Sequence, residues 1–101
     1  MSYDVSLTYG DLEKELGNYT YNCAEMFSRG SGMSLNRLNG MKASEAIAIL
    51  EKGWLNMANK PEEMKTLAPE NGWGTYQGFK NYIKNILEAC KDNPDATLEV
   101  N

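Results

Sequence analysis

Polar and apolar positions alternate strictly at both ends of the chain. In SYDVSLTY, residues 2 to 9, Tyr3, Val5, Leu7 and Tyr9 share one face, and Ser2, Asp4, Ser6 and Thr8 the other. A period of two marks a half-buried strand. ATLEVN, residues 96 to 101, repeats the pattern, with Ala96, Leu98 and Val100 against Thr97 and Glu99. A lone strand is not stable in water. The two are therefore expected to pair antiparallel, with helices on their common apolar face.

Between them the period changes. A short helix is expected over Thr20 to Arg29, with Tyr19, Cys23, Met26 and Phe27 on its apolar side, ended by Gly30-Ser31-Gly32. Residues 33 to 42 read as a loop with an Asn39-Gly40 turn. Ile47, Leu50, Trp54 and Met57 recur at helical spacing and predict a central helix over 44–58. Lys60-Pro61-Glu62-Glu63 starts another, with proline at the first helical position and acids behind it, running to about Leu67. The clearest stripe is Tyr76, Phe79, Ile83, Ile86 and Cys90, in a helix from Thr75 to Lys91 that Thr75 is placed to cap. Asp92-Asn93-Pro94-Asp95 breaks it. Residues 11 to 16, DLEKEL, fit either one helical turn ended by Gly17 or an extended segment leading toward Tyr19.

These elements predict an α+β fold: three or four helices packed on a small antiparallel sheet formed largely by the N- and C-terminal strands. At 101 residues the chain has room for a single domain, 1–101, and one modest core. That core is expected to contain Val5, Leu7, Met26, Phe27, Ile47, Leu50, Trp54, Phe79, Ile83, Ile86 and Leu98.

A net charge of −4 argues against sequence-independent binding to nucleic acid or to anionic membranes, because both need basic surface. No apolar run reaches the roughly 18 residues that span a bilayer. The first ten residues lack the basic start and apolar stretch of a secretory signal, so a cytoplasmic setting is expected. Cys23 and Cys90 form neither C-x-x-C nor a zinc spacing. They read as buried, reduced thiols.

Histidine is absent. This excludes Ser-His-Asp and Cys-His nucleophile systems and His-ligated zinc. Asp11, Glu13, Glu15, Glu62, Glu63 and Glu70 are the carboxylates open to acid–base work or magnesium. Paired acids in a first helical turn ordinarily face solvent and complement the helix dipole. Lys80, Lys84 and Lys91, with Lys65, form a basic side to the last helix, interrupted by Glu88. It reads as a solvated face. Neither a catalytic residue, nor a metal site, nor a cofactor is expected.

Aromatic residues carry the remaining signal. Most fit the apolar stripes, but Tyr21 and Trp73 fall on none. In PENGWGTY, residues 69 to 76, Pro69 stops the preceding helix, Asn71-Gly72 supplies a turn, Thr75 caps and Tyr76 opens the last stripe. Trp73 is either a plug seating the loop on the core or an exposed binding residue. Gly53 and Gly78, inside helices, cost about 1 kcal/mol each against alanine. They are expected where another group approaches the backbone closely, for instance Trp54 or Trp73.

The run Tyr19-Thr20-Tyr21-Asn22 followed by Met26-Phe27, then Leu38-Asn39-Gly40-Met41 leading into Ser44-Glu45-Ala46, then PENGWGTYQG with Leu87-Glu88-Ala89-Cys90 and Pro94-Asp95-Ala96, resembles a group of small single-domain bacterial and phage proteins. The similarity covers most of the chain. It implies a cytoplasmic or phage-encoded accessory protein, and brings neither an activity nor a catalytic residue. Asn22, Trp73 and Tyr76 match recurrent positions of that group.

The expected function is a non-catalytic protein-interaction or accessory module, whose partner is another protein or a second copy, not nucleic acid and not a membrane. The alternative is a small-molecule binder or unusual enzyme with a pocket near Tyr21, Asn22 and Trp73. The candidate ligand or partner surface is Tyr21, Asn22, Trp73 and Tyr76.

Overall fold

The computed structural model describes residues 2–20, 23–67 and 75–101. The expected Asn71-Gly72 turn, the Pro69 stop and the side chains of Tyr21, Asn22, Glu70 and Trp73 lie outside the described residues.

The N-terminal alternation forms β1 (Ser2–Tyr9). A two-residue turn at Gly10-Asp11, with Gly10 at φ 60°, returns the chain as β2 (Leu12–Thr20). A glycine with positive φ at the first central position suits the right-handed twist of a hairpin. Residues 12–16 are therefore strand, and the helical-turn alternative is excluded. The C-terminal alternation forms β3 (Thr97–Val100). The sheet order is β2-β1-β3, antiparallel throughout. Val5 lies opposite Val100 and Leu7 opposite Leu98. Tyr3, Val5, Leu7, Leu98 and Val100 are all buried. The N- and C-terminal strands pair as expected, but the longer partner of β1 is β2.

The helices cover this apolar face. They are α1 (Ala24–Ser31), α2 (Ala43–Asn59), α3 (Pro61–Thr66) and α4 (Tyr76–Asp92). A 3₁₀ turn, Leu35–Leu38, precedes α2 and buries both of its leucines. Thr75 caps α4, its hydroxyl accepting from the Gly78 N–H at 3.0 Å. Pro61 opens α3 at the first turn.

Three readings change. Thr20 belongs to β2 and α1 starts only at Ala24, because pairing with β1 holds the chain extended through Thr20. Gly30-Ser31-Gly32 does end α1, but two residues later than Arg29. The helix continues through Ser31, whose hydroxyl donates to the Phe27 carbonyl at 2.8 Å, and Gly32 is its C-cap. Along α2 the buried stripe is Ala43, Ala46, Leu50, Gly53 and Met57, while Ile47 and Trp54 flank it half-buried. The reason is a close helix crossing. A Cβ on Gly30 would sit 2.8 Å from the Gly53 carbonyl oxygen, and one on Gly53 would sit 2.8 Å from the Phe27 ring. The neighbour that requires Gly53 is thus α1, not Trp54.

Candidate functional site

Of the four residues singled out as a surface, Tyr21, Asn22 and Trp73 lie outside the described residues, and Tyr76 is placed. It is buried, its hydroxyl donates to the Met57 carbonyl at 2.8 Å, and the ammonium groups of Lys80 and Lys65 lie 5.0 and 5.8 Å from its ring centre. Tyr76 is thus a mostly buried residue whose hydroxyl is paired within the fold.

The described flanks of the two segments do meet. Tyr19, near the end of β2, accepts the Thr75 N–H on its hydroxyl at 3.1 Å. Its ring stacks on Tyr82 at 5.4 Å and tilts against Phe79 at 5.6 Å. The Tyr82 hydroxyl donates to the Gly17 carbonyl at 3.1 Å. Burial, with Asp4 and Tyr3 adding to it, pushes the Tyr82 phenol above its ordinary range. Gly78 explains itself here, since a Cβ on it would collide with the Tyr19 hydroxyl. The inner half of β2 is thereby fastened to α4.

The remaining candidate chemistry is occupied or silent. Cys23 and Cys90 are fully buried, and burial raises both thiols to about 11. The thiolate that a nucleophile needs is therefore scarce near neutral pH. Asp11, Glu13, Glu15, Glu62 and Glu63 are exposed. No cluster of three or more metal-ligating side chains occurs among the described residues. The basic side of α4 is partly spent on the fold's own groups. Lys84 lies 4.2 Å from the Trp54 ring centre and 3.6 Å from Glu88, and Lys91 pairs with Glu51 at 3.8 Å. Among the described residues no helix is long and apolar enough to cross a membrane.

What residue-by-residue reading missed is the outer half of the hairpin. Tyr9 and Leu12 face each other across the turn and are 60% and 73% exposed. They border a groove of about 580 Å³, also lined by Leu7, Lys14, Pro94 and Ala96 and by the carboxylates Glu13, Asp92 and Asp95. The signal was available in the pattern: once 12–16 is strand, Leu12 falls opposite Tyr9. The other face of the sheet is polar and acidic. Asp4, Ser6, Glu13, Glu15, Asn18 and Glu99 line a shallow concavity of about 320 Å³ there.

The two edges of the sheet differ. The outer edge of β3 is covered by residues 39–42: Gly40 N–H donates to the Leu98 carbonyl, Leu98 N–H to the Met41 carbonyl, and Val100 N–H to the Asn39 side-chain oxygen. β2 pairs with β1 alone among the described strands, so its far edge carries backbone groups with no strand beside them. Comparison of the chain with family models, with curated proteins and with solved structures finds no match.

Proposed function

We propose that the protein is a non-catalytic module that binds another protein through the tip of its β1–β2 hairpin. The observation that carries this is the adjacent pair Tyr9 and Leu12, large apolar side chains standing in solvent over a groove. Apolar surface gathered in one place on a folded chain marks an interaction site. The bacterial or phage accessory role implied by the resemblance, and the cytoplasmic setting, belong to the same proposal.

The test is quantitative affinity capture from the native host with wild-type bait, Leu12→Glu, and Leu55→Glu as a control. Leu55 is an exposed leucine on the outer side of α2, away from the hairpin. Partners should be retained by wild type and Leu55→Glu and lost by Leu12→Glu. An identical partner set on all three baits removes the hairpin from the function. A second reading, a small-molecule binder using Tyr21, Asn22 and Trp73, is supported by the Tyr19–Thr75 contact between described residues near them in sequence. A small-molecule thermal-shift screen in which Tyr19→Ala abolishes every stabilising hit would favour it.

A further inference from the structure

The hairpin's free edge and its two unlike faces together specify what kind of chain fits there; this inference rests on the interaction reading above. A strand added beside β2 continues the ladder and alternates its side chains between the two faces of the sheet. On the inner face its neighbours are Leu12 and Lys14, at the mouth of the groove. An apolar side chain extends the Tyr9–Leu12 patch there. On the outer face its neighbours are Glu13 and Glu15, with Asp4 and Glu99 beyond. Cations belong on that side.

A second copy of this chain fits poorly. Antiparallel pairing of β2 with itself centred on Lys14 sets Glu13 against Glu15 on the outer face twice, and like charges directly opposed are destabilising. The bulge beside Gly17 irregularises the edge further along. Charged side chains and bulges are how sheets resist pairing with themselves.

The geometry points to an extended segment of a partner protein, alternating apolar and basic residues, that adds to the sheet along Leu12–Glu15. Backbone hydrogen bonds supply strength, the groove takes the apolar side chains, and the acidic face takes the basic ones. Such a segment is also the natural complement of a chain with net charge −4.

The experiment titrates the full chain with a short capped peptide alternating valine and lysine, following backbone amide shifts by NMR. Controls are the peptide with glutamate for lysine and a scrambled peptide of the same composition. The expected result is that amides of 12–15 shift with the alternating basic peptide and neither control matches it. The double variant Glu13→Lys/Glu15→Lys, both sites exposed, should bind the basic peptide about tenfold more weakly. It should in turn accept the glutamate peptide. Equal binding of the scrambled peptide, unchanged affinity in the double variant, shifts confined elsewhere, or concentration-dependent self-association through β2 would each overturn the inference. Should the peptides fail while host partners still depend on Leu12, strand addition is wrong and the interaction reading stands.

Discussion

The two strands beside β1 have opposite characters. β3 is four residues long, places Leu98 and Val100 in the core, and has its outer edge covered by residues 39–42. β2 is nine residues long and has no fully buried residue. Its inner half is held by Tyr19 and Tyr82, while Leu12 to Glu15 stand clear of the helices. Hydrophobic stabilisation scales with apolar area removed from water, not with ladder length. The shorter strand therefore anchors the sheet, and the longer one is free at its tip to do something else. A row of unpaired backbone groups is a liability unless defended or used. β2 carries both defences, charge and a bulge, and next to them an apolar pair that no defence requires.

The largest expected effect tests whether β1 and β3 share one cooperative core with the helices. Burial raises the Cys23 and Cys90 thiols from about 9 to about 11 in the folded chain. Their folded-state values exceed the unfolded ones, so the associated stability is complete below pH 9 and is lost as pH rises toward 11. The loss is roughly 2 kcal/mol per thiol by pH 11. Urea midpoints between pH 8 and pH 11 should fall, and amide protection in β1 and β3 should be lost in one step. If β3 stays protected while the helices melt, the sheet is not held by the helix layer. Next in size, Leu98→Ala should cost about 3 kcal/mol by chemical denaturation. Leu12→Ala should stay within about 0.5 kcal/mol. A Leu12→Ala cost above about 1 kcal/mol would place the tip in the core and undo the contrast.

The anchored strands were legible in the sequence because strict alternation has one interpretation once helices cover one face. Tyr3, Val5 and Leu7 behave as their spacing says; Tyr9, on the same face, does not, standing exposed beside the Gly10-Asp11 turn. DLEKEL was open because its residues favour helix in isolation. One turn cannot nucleate a helix alone, and the Gly10-Asp11 turn delivers the segment directly to β1. The α2 stripe was misplaced by weighing large apolar residues. The buried stripe runs through Ala43, Ala46 and Gly53, small residues that register weakly in a hydrophobic pattern, and the crossing with α1 is made at Gly53 against Gly30 and Phe27. The candidate surface fared differently. Tyr76 looks like its aromatic neighbours in sequence, and only the structure shows that its hydroxyl is paired with the Met57 carbonyl. Tyr9 and Leu12 were invisible as a pair until the hairpin was known.

Gly17 sharpens the boundary between the fixed and free halves of β2. It lies next to the break in register between Val5 and Ser6, with φ 99°, a region that L side chains rarely adopt. Alanine there should cost about 1–2 kcal/mol. Space is not the obstacle, since the nearest atom to its Cβ, on Tyr82, would be 3.9 Å away. The loss should be accompanied by faster amide exchange at Tyr19 and Thr20, with little change in β3. A uniform loss across the sheet would mean that β2 is anchored as firmly as β3.

The smallest effect tests the covered edge itself. The Asn39 side-chain oxygen accepts the Val100 N–H at 2.9 Å, where a further strand would otherwise pair. Asn39→Ala should cost about 1 kcal/mol, the value of a single hydrogen bond of this kind. It should raise exchange of the Val100 amide while Leu98, still bonded to Met41, keeps its protection. The informative outcome lies in association. Opening one position on the β3 edge should leave the chain's oligomeric state unchanged, because Gly40 and Met41 still occupy the neighbouring positions. Self-association of Asn39→Ala by sedimentation would show that the cover over β3, not the charge on β2, is what keeps this sheet from growing.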